Sequence, residues 1–340
     1  MRYEDFREKI ADEIRKTCIE RGFYRDPDVN IRKVVKDNGK ELYGLSITEA
    51  GAKNAVCPTI YLEDFFPKYK EGDSLDVIAG AICVEYEKHR VPQSMQNIGS
   101  EIADMLCSKE YIKDHIYPRL CSLQSNPEWA ATMPHRLHGD LMEICYIEVD
   151  VFGKEGFVKV NNEAVKAIGA DEDWLFEQAH VNMKKKNPAY AVGMRDMLMI
   201  LSVGGGFDQL DTFDRVPDLE PGEMMALVTK NKDFGAVAVL DTELISEISE
   251  RYGDLYLLPS SIHEFLAVPQ AGYDVAFLRQ MVRDINRTEV APEEVLSDEI
   301  YEMRQGKLVI AMTDEERELR TSVNRAADEQ AKKPPKRRGR

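Results

Sequence analysis

The stretch at residues 225–269 constrains the fold most strongly, because it alternates short apolar runs with clear helix boundary signals. The apolar runs at both of its ends have the length and composition of buried strands. Between them, Asp241 has a side chain typical of a helix N-cap, and Gly253 stands where the helix should stop. The pattern predicts a ββαββ unit, with two strands before the helix and two after it.

The first part of the chain predicts a helix and then an antiparallel sheet. Apolar residues recur at helical spacing over residues 3–21. Strands are predicted at 31–36, 41–48 and 58–63. The first two flank Asn38-Gly39, a pair that accepts the positive φ angles of a type I′ turn. We therefore expect a hairpin here, with the third strand joining the same sheet.

The rest of the chain predicts more helices and strands. Helices are expected near 74–86, 94–107, 109–117, 162–168, 172–184 and 274–287, and strands at 141–151, 157–160, 300–303 and 308–311. Residues 126–138 are interpreted as a connection. The apolar run 197–203 could be a strand within the otherwise irregular segment 187–222.

Together these elements predict an α+β fold, in which helices pack on antiparallel sheets arranged in two lobes. We place the lobes at 1–125 and 126–312. The remaining residues, 313–340, are expected to form a flexible polar tail with a basic end.

Composition narrows the class of protein. The net charge of −16 argues against nucleic-acid binding through a broad basic face. No run approaches the roughly 18 to 20 apolar residues of a membrane span, and the charged N-terminus is unlike a secretory signal. The six cysteines form no Cys-x-x-Cys pair and are expected to be reduced thiols. We therefore expect a soluble cytoplasmic protein, and no motif calls for a cofactor.

Six segments spread over about residues 30–300 carry a family resemblance. They are 43–47, 58–63, 133–135, 228–231, 258–264 and 296–298. They resemble a family of uncharacterised bacterial proteins known only as a domain of unknown function. The most specific of them is Leu-Pro-Ser-Ser-Ile-His-Glu at 258–264. The resemblance implies no activity, cofactor or catalytic residue.

The same run suggests a hydrolase, because Ser260, Ser261, His263 and Glu264 include every residue type of a catalytic triad. In a regular strand, however, His263 would share a face with Ser261 while Glu264 pointed the opposite way. The chain also lacks a Gly-x-Ser-x-Gly elbow. The favoured interpretation is a tight turn whose hydroxyls bond to the backbone. A catalytic role for His263 would then need a partner from elsewhere in the fold.

Two other clusters suggest cation sites. His135, His138 and Asp140 could hold a metal ion, although the usual His-Glu-x-x-His spacing is absent and a surface loop is the favoured alternative. Aspartates at 208, 211, 214 and 218 do not match the spacing of a calcium loop and are interpreted as a solvated acidic segment. Glycines 204–206 lack the spacing of a nucleotide-binding loop.

The basic tail at 332–340 could touch nucleic acid or an acidic partner by charge alone, or could simply be a disordered solubilising end. With no assembled catalytic signature, the leading hypothesis is a non-enzymatic binding or interaction protein of unknown partner. A hydrolase-like enzyme using His263 and a nucleic-acid-associated protein acting through the tail are the alternatives.

Overall fold

The computed structural model describes residues 2–52, 57–90, 98–150, 155–202, 214–220, 222–231 and 233–319. The helices of these residues are α1 (Tyr3–Glu20), α2 (Phe66–Glu71), α3 (Leu75–His89), α4 (Ile98–Leu106), α5 (Lys109–His115), α6 (Pro127–Thr132), α7 (Asn162–Ala167), α8 (Glu172–Lys186), α9 (Met194–Ser202), α10 (Thr242–Tyr252) and α11 (Val275–Thr288). Glycines 204–206, Asp208, Asp211 and the basic tail at 332–340 lie outside the described residues.

The strands are β1 (Pro27–Val35), β2 (Glu41–Glu49), β3 (Ile60–Tyr61), β4 (Ile116–Ser122), β5 (Arg136–His138), β6 (Leu141–Asp150), β7 (Glu155–Lys159), β8 (Ala189–Gly193), β9 (Met225–Thr229), β10 (Leu255–Pro259), β11 (Phe265–Pro269), β12 (Tyr301–Arg304) and β13 (Lys307–Ile310). They form three sheets, in the orders β1-β2-β3, β13-β12-β10-β11-β9-β8 and β4-β6-β5, and β7 pairs with β6. The predicted α+β class is confirmed.

The chain divides into two compact units, Met1–Ile116 with Ile147–Trp174 and Tyr117–Tyr146 with Leu175–Arg340. The chain therefore passes between the units three times, whereas the sequence-based lobes of 1–125 and 126–312 imply a single crossing. Strand β6 contributes to both units. Because β6 is one continuous strand, its sequence gives no local sign that the chain passes from one unit to the other within it.

In the first unit, α1 and α3 pack beside the three-stranded sheet. The core residues of α1 are Phe6, Ile10, Ile14 and Cys18, and those of α3 include Ile78, Ile82 and Tyr86. Both helices thus bury the stripe that their periodicity predicts. The hairpin turn also follows its prediction in part, since φ is 57° at Asn38 and 67° at Gly39. Its loop is longer than a two-residue turn, because the last register pair is Val35 with Glu41.

In the second unit, the six-stranded antiparallel sheet is covered on both faces. Leu255 and Leu257 of β10 belong to the core that contains α10, whereas Tyr256 and Leu258 pack with residues of α11. A strand buried on both faces reads as a continuous apolar run, which is how β10 appears in the sequence. The predicted cap of α10 is confirmed, since the Asp241 carboxylate accepts hydrogen bonds from the backbone N–H groups of Glu243 and Leu244 at 3.2 and 3.1 Å.

Two segments predicted as strands are helical. Gly235–Leu240 is a 3-10 helix, so the second strand of the predicted ββαββ unit is absent. The apolar run at 197–203 was expected as a strand, but residues up to Ser202 belong to α9. Periodicity cannot separate a buried strand from a buried helix in so short a run. In α9, Met197 is buried while its neighbours Leu198 and Met199 are exposed, a helical pattern rather than strand alternation.

The segment 126–138, which was predicted to be a connection, contains regular secondary structure. It contains α6 and β5, and the buried strand β4 precedes it. Strand β4 escapes sequence analysis because Pro118 lies within it, and proline argues against a strand interior. The same proline is consistent with the predicted end of the preceding helix, since α5 stops at His115.

Candidate functional site

The run at 260–264 forms the turn between β10 and β11. These strands pair in the register Pro259 with Phe265, and the backbone N–H groups of Ser260 and Ser261 both donate to the carbonyl oxygen of Glu264, at 3.3 and 3.2 Å. The backbone N–H of His263 donates to the Ser261 hydroxyl oxygen at 3.0 Å. The turn interpretation is therefore confirmed.

The expected separation of side chains by strand alternation is wrong, because these residues are not in a strand. The Ser261 hydroxyl donates to the Glu264 carboxylate at 3.0 Å. Strand geometry would have placed these two side chains on opposite faces. The bond that Ser261 accepts from residue 263 comes from the backbone and not from the imidazole. Ser261, His263 and Glu264 are therefore close together, with the Ser261 hydroxyl bonded to the Glu264 carboxylate. A catalytic triad instead places the imidazole between the nucleophile and the carboxylate.

His263 faces a different carboxylate. Its Nε2 atom lies 3.7 Å from Oε1 of Glu294, and its ring stacks on Phe234 with a centroid distance of 6.4 Å and an interplanar angle of 9°. A general base must lie about 2.6–3.2 Å from the group that it deprotonates. The His263–Glu294 distance is longer than that, so these two atoms do not form a direct hydrogen bond in this structure.

The turn also forms part of a pocket of about 560 Å³. Apolar walls come from α9, β9 and β11, through Met194, Met197, Ala226, Val228 and Leu266. Polar groups come from the turn and from the end of β9 and the segment after it, through Ser260, His263, Glu264, Thr229 and Asp233. This volume lies within the range of small-molecule sites, and apolar walls with a few polar groups are typical of them.

The segment beside the pocket is tightly constrained. Phe234 has φ of 58°, in the left-handed region that a bulky residue rarely adopts. Its ring packs against Tyr146 at 5.1 Å and under the guanidinium of the buried Arg119 at 3.9 Å. A Cβ atom on the next residue, Gly235, would lie 2.4 Å from the carbonyl oxygen of His263. The turn and this segment therefore approach each other as closely as a glycine permits.

The structure does not bring His135, His138 and Asp140 together. The Nδ1 atom of His135 lies 3.1 Å from the carbonyl oxygen of Met133. Asp140 accepts hydrogen bonds from Ser297, at 2.7 Å, and from Tyr301. Burial and the Asp140 carboxylate both raise the pKa of the Tyr301 hydroxyl, so it stays a donor. Asp140 thus belongs to a structural network and not to a metal site with the two histidines.

His138 instead belongs to a cluster around a buried carboxylate. One oxygen of Glu143 lies 2.9 Å from Nε2 of His138, and the other lies 2.7 Å from Nε2 of His180. The side chain of Glu143 is only 2% exposed. Burial by itself would raise the pKa of this carboxyl, but the hydrogen bonds and charges of the two imidazoles outweigh it and hold the pKa at about 2. Glu143 is therefore a carboxylate at neutral pH.

This cluster of Glu143, His138 and His180 was not predicted from the sequence. Its one local signal is Glu143, the single acidic residue in the apolar run 141–147, because a buried carboxylate needs partners. The partners themselves come from β5 and α8, and the distance of His180 along the chain hides the pairing. The cluster lines a second cavity, of about 170 Å³. In the part of the chain that the structure describes, no group of three or more His, Cys, Asp or Glu side chains is arranged to hold a metal ion.

The acidic segment is described only in part. Asp214 and Asp218 are exposed, and Asp218 forms an ion pair with Arg251. Among the described residues, none of the helices is both long and apolar enough to cross a membrane.

Comparison with known proteins identifies the family but no activity. Searches of the curated proteins and of the solved structures find no match. A family model, described as a family of unknown function, matches residues 3–305. The match covers both units of the fold, including the turn at 260–264 and the Glu143 cluster, and so the chain belongs to this family of unknown function, DUF5688.

Proposed function

We propose that this protein is a non-enzymatic binding protein, and that its pocket of about 560 Å³ takes a small ligand with an apolar body and a cationic end. The observation that carries the proposal is the composition of the pocket wall. Five apolar side chains offer a surface for the body of the ligand, and two carboxylates, Asp233 and Glu264, face the same space as the single imidazole of His263. Carboxylates favour a positively charged partner.

The geometry around His263 supports binding over hydrolysis. The Ser261 hydroxyl is engaged with Glu264, and the Glu294 carboxylate lies 3.7 Å from the imidazole. Phe234 stacks on the ring and Gly235 packs against the backbone of the same turn. A pocket wall held this rigidly suits a preformed binding site, because little freedom is lost when a ligand enters.

Primary alkylamines test this proposal directly. Butylamine, hexylamine and octylamine should raise the melting temperature, and the affinity should increase by about fourfold for each added methylene, since burying one is worth about 0.8 kcal/mol. Carboxylates of equal chain length should bind more weakly, because the pocket presents two carboxylates of its own. Melting curves and titration calorimetry give both comparisons.

A matched pair of variants on α9 provides the control. Met194→Trp should fill the pocket and abolish the alkylamine effect, whereas Leu198→Trp adds the same ring at a position that is 62% exposed and should leave binding unchanged. Equal binding by both variants, or no dependence on chain length, would reject the pocket as the binding site.

We propose in addition that the protein works in the cytoplasm. Cys18 and Cys83 are both thiols, although their sulfur atoms lie 3.8 Å apart in the core of the first unit. A reducing compartment keeps such a pair unjoined. Cell fractionation should recover the protein with cytoplasmic markers, and recovery outside the cytoplasm contradicts the proposal.

A further inference from the structure

We propose that Cys18 and Cys83 form a redox switch, in which a peroxide joins the two thiols as a disulfide between α1 and α3. Their sulfur atoms lie 3.8 Å apart, and both side chains are 0% exposed. Both cysteines belong to the first unit, whereas the pocket of about 560 Å³ is lined by residues of the second unit. The inference therefore stands apart from the function proposed for that pocket.

Regular structure on both sides holds the two sulfur atoms in contact. Cys18 ends the buried stripe of α1, and Cys83 lies on the buried face of α3. The two helices pack directly against each other. A disulfide bond brings its sulfur atoms to about 2 Å, so a further approach of about 1.8 Å is needed. Rotation about the Cα–Cβ bonds and a small shift of the neighbouring helices provide a movement of that size.

The surroundings of the pair make Cys83 the nucleophile. The hydrogen bond between the two thiols lowers the pKa of Cys83, and burial opposes this effect only in part. The same bond and burial both raise the pKa of Cys18. The charge of Arg21 lowers the pKa of Cys83 further, and its guanidinium lies 3.4 Å from where a Cβ atom on Gly80 of α3 would be. Since a thiolate is the form that reacts with peroxide, Cys83 reacts first.

The oxidation removes two electrons from the pair and reduces one molecule of hydrogen peroxide. The Cys83 thiolate attacks one oxygen of the peroxide, the O–O bond breaks, and the hydroxide that leaves takes up a proton to become water. The sulfur of Cys18 then loses its proton and attacks the sulfenic acid formed on Cys83. The S–S bond forms, the S–O bond breaks, and a second water leaves. Because Cys18 is already in contact with Cys83, the disulfide forms before further oxidation of the sulfenic acid.

Burial controls how the peroxide reaches the pair. Cys18 lies in the last turn of α1, and the end of a helix opens at a lower cost in free energy than the whole domain. Oxidation therefore proceeds through local opening of this turn. Once formed, the disulfide joins residues 65 positions apart in the sequence and restricts the unfolded chain. The oxidised protein should consequently be more stable than the reduced protein.

Peptide mapping of the full-length protein tests the proposal. The protein is treated with hydrogen peroxide, its remaining thiols are alkylated in denaturant, and it is digested with trypsin. Peptides 17–21 and 71–88 should be recovered as a linked pair, about 2 Da lighter than the sum of the two reduced peptides, and dithiothreitol should separate them. The melting temperature of the oxidised protein should be higher by about 3 °C or more.

Cys121 is the internal control, because it is also buried but its sulfur donates to the carbonyl oxygen of Met142. It should be recovered as an alkylated thiol. In Cys83→Ala, Cys18 should also remain open to alkylation after peroxide treatment. The wild-type map decides the question even if this variant does not fold. The proposal is wrong if Cys18 and Cys83 stay alkylatable, if either becomes a sulfinic acid without linkage, or if the linkage forms only in protein unfolded in urea before oxidation.

Discussion

Gly235→Ala is expected to destabilise the protein by about 3 kcal/mol. The added Cβ would lie 2.4 Å from the carbonyl oxygen of His263 and 3.1 Å from the backbone nitrogen of Thr229. Both neighbours are backbone atoms, which cannot move aside as a flexible side chain can. Relief of the clash requires the turn at 260–264 to move away from the 3-10 helix, which breaks the packing on both sides. The free energy of unfolding in urea measures the loss.

Gly80→Ala provides the comparison for this prediction. Gly80 lies inside α3, and its added Cβ would meet only the end of the Arg21 side chain, at 3.4 Å. Alanine is the better helix residue by roughly 0.5–1 kcal/mol, so this variant should be at least as stable as the wild type. If Gly235→Ala matched Gly80→Ala in stability, the close approach of the two backbones would not exist.

The same clash should also affect the pocket beside the turn at 260–264. His263 and Glu264 line that pocket, and their turn is the part of the structure that Gly235→Ala displaces. We therefore expect the variant to bind octylamine more weakly than the wild type under conditions in which it remains folded. Gly80, in the other unit, should have no such effect.

Structural features that depend on a few consecutive residues could be predicted from the sequence. The buried stripe of α1, the cap at Asp241 and the positive φ angles at Asn38 and Gly39 each depend on a few consecutive side chains. Such local preferences act wherever the tertiary structure does not oppose them. The α+β class follows from the order of those elements.

The predictions that were wrong or missing concern features that depend on contacts between residues distant in the sequence. Residues 235–240 are apolar enough for a strand, but they form a 3-10 helix. In this helix Gly235 packs closely against the backbone of the turn that contains His263. The contact between Ser261 and Glu264 arises because the run is a turn and not a strand. His180 reaches Glu143 across 37 positions in the sequence, which no local pattern encodes.

Glu143→Gln is the second large expected effect, because it removes the charge between two imidazoles in a buried site. At pH 7 the loss of stability should be on the order of 3 kcal/mol, from a pKa of 4.5 in the unfolded chain that falls to about 2 on folding. Breaking one partner of a buried ionic cluster has costs of the same size. Glutamine keeps the volume of the side chain, so no cavity adds to the effect.

The pH dependence distinguishes this electrostatic role from packing. Burial opposes ionisation of Glu143, but its bonds to His138 and His180 lower its pKa in the folded state. The unfolded chain therefore binds the proton more tightly, and the stability that Glu143 contributes is complete above about pH 4.5 and is lost as the pH falls towards 2. Because glutamine resembles the protonated acid, the difference between wild type and variant should shrink over that range.

Urea unfolding of wild type and Glu143→Gln at a series of pH values from 7 to 3 measures this difference. Glu250→Gln is the control, since Glu250 is exposed on α10, and its effect should stay within about 0.5 kcal/mol at every pH. A large difference for Glu143→Gln that did not change with pH would assign its effect to packing, and the carboxylate would not be what joins β5, β6 and α8 at the second cavity.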